Sequence, residues 1–403
     1  MKSDGPAAVC RLLFQNVFIP FTNIVPITFK EVTKDKMKVI CKKETLVQAV
    51  TNVSRAVSSK STIPALEGIL LQTTANGLYV AGYDLALGIT TEIDARVEQP
   101  GGAVLSAKFF SDAVRRMPAE EIVITCDEKQ LTQISSGPSQ FTVLAMSAAD
   151  FPELPAVPDE QMLSLDKELL RNMIDQTIFA VATGDTKPVH TGSLFDIVSG
   201  VLTVVSVDGY RLALRRENIQ ADQDFRFIVP GKTLTEVSRL IGSGEGQATV
   251  RLAQRHIVFE VNGYFVISRL LEGDFLDYRA SLPKSHNLEV TVAVRPLMDS
   301  IERAALLISE RMKSPLRVKI ENDIIAVSCE TSMGKVYDEV ACKAEGTGVQ
   351  MGFNHKYLLD ALRNSGCDEV KIQIGGPLLP IKVVPKEGDE FLFLVLPVRI
   401  RSE

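Results

Sequence analysis

Hydrophobic and polar residues alternate along this chain with two distinct periods. Runs such as LYVAGYDLALGITTEI, QATVRLAQRHIVFEV and LRVKIENDIIAVSCE place apolar side chains at every second position and end in turn residues. That is the pattern of antiparallel strands with one buried face. Between such runs lie six stretches whose apolar residues recur every three to four positions, the spacing of a helix with one stripe against a core. These windows are 45–60, 108–117, 167–181, 232–241, 295–313 and 355–363. The pattern predicts an α+β chain with antiparallel sheets.

The pattern also repeats, with a period of 124 residues. The segments LSAKFFSDAVRRMP, VPGKTLTEVSRLIG and FNHKYLLDALRNSG each follow a predicted strand. They align Lys108 with Lys232 and Lys356, Arg115 with Arg239 and Arg363, and Asp112 with Glu236 and Asp360. In the upstream helix of each repeat the same period aligns Leu46, Leu170 and Val294, then Val50, Ile174 and Met298, then Ala56, Ala180 and Ala304. Three similar domains follow, each of two strand-helix-strands units, over 37–158, 159–285 and 286–403. Residues 1–36 are read as an N-terminal extension outside the fold. Their apolar stretch is broken by Arg11, Asn16, Pro20, Asn23 and Pro26, which argues against both a membrane span and a signal peptide.

Within the second repeat, TVVSVDGYRLAL (203–214) sets Asp208-Gly209 between two apolar runs. An Asp-Gly pair flanked by β-formers predicts a hairpin with those two residues at its turn. Arg211, beside the turn and among apolar neighbours, suits one charged group at the edge of a shallow apolar pocket for a peptide. A competing reading makes Asp208, Tyr210 and Arg211 the acid, proton donor and anion clamp of an enzyme site.

Charge changes the picture. The net charge is −6, yet the six helical windows sum to +7 and leave −13 for the remainder. On a helical wheel Lys108 and Arg115 fall together, opposite Phe110, Ala113, Val114 and Met117. Basic helix faces within an acidic whole are what a phosphate-contacting surface needs. The chain has no Trp, and no aromatic residues are interleaved on those faces, so base stacking is not implied. Six helices side by side at about 8–10 Å would close a ring with roughly 9 Å clear, too narrow for a duplex, whereas twelve from two chains leave nearly 30 Å. The six cysteines are scattered with no C-x-x-C, as in a reduced, cytoplasmic protein, and the four histidines show no metal-ligand spacing. No metal and no cofactor are expected. Pro230-Gly231-Lys232-Thr233 mimics the end of a phosphate-binding loop, but Arg226 stands where that loop needs its first glycine.

From Met37 to the C-terminus the chain resembles the beta subunits of DNA polymerase III, the bacterial sliding clamps. The resemblance rests on MKVICKKETLVQAV, STIPALEGILL, AADFPELP, VDGYRLA, IVPGKTL, GDFLDYR, GFNHKYLLDAL and LVLPVRI, spread in order along the chain. It implies a head-to-tail homodimeric ring, the DNA clamp fold, with helices inside and sheets outside. Such a ring encircles duplex DNA and tethers the polymerase without catalysing a reaction. It further implies a pocket for the short Leu- and Phe-rich motifs of polymerase, clamp loader and repair proteins, formed by Val207, Gly209, Tyr210, Arg211, Leu212, Leu276, Leu394, Leu396, Pro397, Val398 and Arg399. Leu276, Ala280 and His190 depart from the family's usual residues there, and the tail runs on through Arg401-Ser402-Glu403. Dimer contacts carry over to Phe141, Val143, Leu306 and Leu307, and DNA-facing positions to Lys60, Lys108, Lys187 and Lys232. Helix-face repetition adds Arg115, Arg239, Lys356 and Arg363 to that set.

Overall fold

The computed structural model describes residues 36–158, 161–184, 186–221, 223–308 and 314–400. All but the last residue of the expected N-terminal extension, and the tail beyond Ile400, lie outside the described residues. Six helices of more than two turns are present among them: α1 (Lys43–Val53), α2 (Ala107–Arg116), α3 (Lys167–Ile178), α4 (Gly231–Ile241), α5 (Val294–Ala305) and α6 (His355–Asn364). Each follows a strand directly. Asp166 accepts from Leu169 N at the start of α3 and Asn354 from Lys356 N at the start of α6, the usual way to satisfy an orphan amide of a first turn.

The fold corrects three expectations. The window 45–60 is helical only to Val53, followed by a 3-10 turn over Ser54–Ala56, so Lys60 is not on a helix. The described helices carry a net +4 in place of +7, because Arg55 and Lys60 lie beyond α1 and the window 295–313 extends past Ala305. The charge separation keeps its sign but is smaller. The third correction concerns the repeat. Helix starts at Lys43, Lys167 and Val294 shift the upstream helix of the third domain by three residues, so Leu46 and Leu170 correspond to Leu297, Val50 and Ile174 to Ile301, and Ala56 and Ala180 to Leu307. The first two of these trios are buried throughout.

The strands form four antiparallel sheets of five, nine, nine and four strands. Eight strands carry the argument: β1 (Leu87–Ile93), β2 (Ser139–Leu144), β3 (Val201–Val207), β4 (Arg211–Asn218), β5 (Tyr264–Arg269), β6 (Gly334–Ala341), β7 (Val349–Phe353) and β8 (Phe391–Val395). Both nine-stranded sheets cross from one repeat to the next. One joins the first two repeats through β1 and β5, with Ile89 opposite Val266. The other joins the second and third through β4 and β8, with Ala213 opposite Phe393. The helices pack against the sheets, α1 on β1, α3 on β4 and α5 on β6. One continuous apolar core runs from Met37 to Leu270, and a second, in the third repeat, takes in Ala180 and Ala213 of its neighbour.

Phe110 on α2 is among the largest fully buried side chains. Phe110→Ala is expected to cost about 3–5 kcal/mol of stability, read from denaturant unfolding; a loss under about 1 kcal/mol would contradict this packing.

Candidate functional site

The hairpin forms with its turn one residue later than expected. Asp208 N donates to Arg211 O at 3.3 Å, so Gly209 and Tyr210 are the two central residues. Gly209 has φ 91°, the left-handed region that a side chain disfavours and that the first central position of such a turn requires. The Asp208 carboxylate ties the turn together by accepting from Tyr210 N at 2.9 Å and Arg211 N at 3.1 Å. Tyr210 is therefore at the tip, 60% exposed, and not in the strand.

Behind the turn, Val207, Leu212 and Leu394 form a buried floor with Leu194, Leu214 and Phe275. Leu212 lies directly opposite Leu394 across the β4–β8 ladder. The chain after β8 then runs along both neighbours: Leu396 N donates to Tyr210 O and Val398 N to Gly352 O of β7, each at 2.9 Å. Gly352 is needed there, since a Cβ would sit 2.8 Å from Val398 O. Leu396, Val398, Tyr210 and Leu276 are exposed apolar residues along the rim, with Arg399 exposed and Pro397 half-buried beside them. Leu276 is held in place by its neighbours: Tyr278 Oη donates to the buried Asp196 carboxylate at 2.8 Å and Arg279 at 2.9 Å. Burial first, and then this carboxylate, push the Tyr278 hydroxyl up to about 12. Ala280 is exposed on the one-turn helix Tyr278–Ser281 that carries Tyr278.

Arg211 does not sit open at the pocket edge. Its Nε donates to Asp208 at 2.9 Å, its Nη1 pairs with Asp360 of α6, and its guanidinium lies 4.7 Å from the Tyr357 ring centre. Tyr210 stacks on that same ring at 5.9 Å. The charge is consumed in holding the hairpin to the third repeat, so Asp208, Tyr210 and Arg211 do not stand as a poised catalytic group. No group of three or more metal-ligating side chains is present among the described residues.

The matching place in the first repeat is filled by the chain itself. Tyr83 stands where Val207 does in the second, and Gly88 stands for Leu212. A Cβ on Gly88 would fall 2.6 Å from Leu154 Cδ2, so Leu154 occupies the space a pocket would need.

Other predicted residues fall into two further groups. Lys108, Lys232 and Lys356 are exposed in the first turns of α2, α4 and α6, and Arg115, Arg239 and Arg363 in their last turns; Lys60 and Lys187 are exposed in loops. Lys232 pairs with Asp84 at 2.5 Å across the first junction. Glu236 is buried and accepts from both Arg239 at 2.7 Å and Arg55 at 3.2 Å, the latter across that same junction. Phe141 and Val143 lie on β2, an outer strand of the five-stranded sheet, with Phe141 edge-on to Phe109 at 5.7 Å. Leu306 and Leu307 follow the end of α5, and Leu306 is 83% exposed.

Sequence reasoning missed Tyr357, Asp360, Phe179 and Gly352 as parts of the pocket's frame. Asp360 had a usable signal, its alignment with Glu236, which also accepts a cation across a junction. His190, expected at the rim, is buried edge-on to Phe275 at 5.5 Å. Burial, reinforced by Lys187 and opposed by Asp208, lowers its pKa below the ordinary 6.5. Folding therefore binds fewer protons, and the stability involved is full above that value and declines as pH falls through it. His190→Leu is expected to flatten the loss of stability between about pH 7 and pH 5; an unchanged slope would contradict the assignment.

Comparison with known proteins covers almost all of the described chain. Three family models match in succession, the N-terminal, central and C-terminal domains of the DNA polymerase III beta subunit, over residues 37–155, 164–277 and 279–399. The beta sliding clamp of Bacillus subtilis is 31% identical over 376 residues, covering 90% of this chain and 100% of that protein. The crystal structure of the DNA polymerase sliding clamp from Bacillus subtilis superposes with a TM-score of 0.88 at 30% identity, covering 91% of this chain and 100% of that one. A putative DNA polymerase III beta subunit from Eubacterium rectale gives 0.86 at 34% identity, covering 90% and 99%. A Pseudomonas aeruginosa sliding clamp bound to griselimycin gives 0.85 at 27%, covering 90% and 100%. With all three domain models in order and a relative above 30% identity matched over its full length, the chain belongs to the DNA polymerase III beta subunit family, the bacterial sliding clamps.

Proposed function

We propose that this chain works as a cytoplasmic, non-catalytic ring of two copies, closed head to tail around duplex DNA, that tethers the replicative polymerase and other proteins through one peptide pocket per chain. The observation that carries this reading is the pair of nine-stranded sheets. Each domain junction within the chain is an antiparallel edge-to-edge pairing, and β2 and β6 remain as outer strands at the two ends of the series. An unpaired, extended edge is a template for another chain. Pairing β6 of one copy with β2 of the next continues the series, and two copies close it with Phe141, Val143, Leu306 and Leu307 at each seam. The domains are 37–158, 159–285 and 286–403.

The inner surface is formed by Lys60, Lys108, Arg115, Lys187, Lys232, Arg239, Lys356 and Arg363, which contact phosphates without reading sequence. Lys108 and Arg115 form no ion pair with the described residues, so their charge is available to DNA in a way that of Lys232 is not. Lys108→Glu with Arg115→Glu is expected to reduce loading onto circular DNA several-fold and to leave dimer assembly intact. Undiminished loading at moderate salt would count against this inner face.

The pocket takes two apolar anchors of a short Leu- and Phe-containing peptide over the floor of Val207, Leu212 and Leu394, between the rims of Gly209, Tyr210, Arg211 and Leu276 on one side and Leu396, Pro397, Val398 and Arg399 on the other. Each anchor contributes about 1.5–3 kcal/mol, enough for micromolar affinity after association costs. Removing residues 396–403 is expected to abolish peptide binding in calorimetry while the sedimentation of the dimer is unchanged. Normal affinity in the truncated chain, or three sites per intact chain, would overturn the assignment.

A further inference from the structure

The two junctions inside the chain are built alike, and their likeness fixes how the third, between chains, is built. In the first repeat Thr90 pairs with Ala81, Ala81 with Leu70 and Leu70 with Val104, two residues before the helix cap Ser106. In the second repeat the same walk runs Leu214, Val205, Leu194, Ile228, and in the third Tyr337, Ser328, Arg317, Gly352, each ending two residues before a helix cap. Tyr337 therefore holds the place of Thr90 and Leu214, and Val336 that of Ile89 and Ala213.

The other half of each junction can be walked the same way. Phe141 pairs with Ile134, Ile134 with Ile124 and Ile124 with Val39, three residues before the cap of α1. Val266 reaches Leu163 through Phe259 and Val250, and Phe393 reaches Val290 through Val383 and Ile372, again three residues before a cap. Phe141 thus corresponds to Val266 and Phe393. Since Ile89 faces Val266 and Ala213 faces Phe393, the seam between chains sets Val336 against the partner's Phe141.

The charges do not repeat with the strands. At the first junction Arg55, the thirteenth residue counted from the start of α1, pairs with Glu236. At the second that place is Phe179, which packs edge-on to Phe393 at 5.3 Å, and the cation for Asp360 comes from Arg211, the first residue of β4. At the third, the two corresponding places are Leu306 and Gly334, neither of them basic. Asp112, the counterpart of Glu236 and Asp360, has no ion pair with the described residues of its own chain.

Resting on the dimer reading above, we propose that the seam between chains keeps the strand register of the internal junctions but not their ion pair. Leu306 packs on the partner's Phe141, and the partner's Asp112 faces it without a cation. The seam is apolar, and Asp112 weakens it.

Two experiments on the full chain test this. For the register, Tyr337→Cys with Gln140→Cys places directly opposite residues at disulfide distance, whereas Tyr337→Cys with Thr142→Cys is out of step by two. The first pair is expected to give a covalent dimer under mild oxidation and the second, like Tyr337→Cys alone, none; crosslinking of the second pair only, or of neither, overturns the register. For the charge, Leu306→Arg restores the arginine of the first junction and Leu306→Glu opposes Asp112. By sedimentation at low salt, Leu306→Arg is expected to dimerise at least tenfold more tightly than Leu306→Glu. That advantage is expected to shrink on going from about 0.05 to 0.5 M salt and to vanish when Asp112→Asn is added. Equal disruption by both substitutions overturns the placement of the partner's Asp112 against Leu306, while leaving a dimer that forms in the unaltered chain as evidence for the wider reading. An unaltered chain that stays monomeric overturns both.

Discussion

Antiparallel pairing between strand edges is the interaction on which the rest depends. A sheet edge exposes a row of backbone donors and acceptors that must find partners or water. In this chain the edges of neighbouring repeats satisfy one another, β1 with β5 and β4 with β8, and the helices are carried to one side as a consequence. A repeat alone would bury only its own face of apolar residues. Joined, the first two repeats share a core, and the third draws Ala180 and Ala213 of its neighbour into its own.

The pocket is a by-product of one such pairing. Its floor needs Leu212 and Leu394 side by side, which only the β4–β8 ladder provides. Its far rim is the segment after β8, held by amides to Tyr210 and Gly352. Arg211 then locks the turn onto α6 through Asp360, so the same residue that borders the pocket also fixes the angle of the two repeats around it. The first junction has the same strand pairing but no pocket, because Tyr83 and Leu154 fill the space. One architecture, used twice within a chain, thus sets Leu212 beside Leu394 at one junction and is filled by Leu154 at the other.

Much of this was legible in the sequence, and its failures have physical causes. The helices α2, α4 and α6 kept the 124-residue spacing because each follows its strand without insertion. The α5 alignment slipped by three because Val294, Leu297, Met298 and Ile301 are all buried, so apolar periodicity tolerates both registers and only the strand-helix boundary separates them. Asp208-Gly209 marked the hairpin correctly, but a dipeptide cannot say which of its residues opens the turn; the Asp208 carboxylate bonded to two following amides decides it. The first helix ended early, at a run of polar residues before Pro64 that its apolar spacing did not register. Arg211 stands out in the sequence beside the turn, but its ion-pair partner Asp360 does not, since it lies 149 residues away.

Closure around DNA makes a topological demand that affinity does not. A protein held by phosphate contacts alone leaves circular and linear DNA at the same rate, whereas a closed ring leaves only by opening or by sliding off an end. The decisive measurement is the retention of loaded protein on nicked circular plasmid before and after a single cut that linearises it, at a salt concentration that weakens direct phosphate contacts. The account predicts stable retention on the circle and rapid loss after the cut. Equal retention on both forms would contradict it.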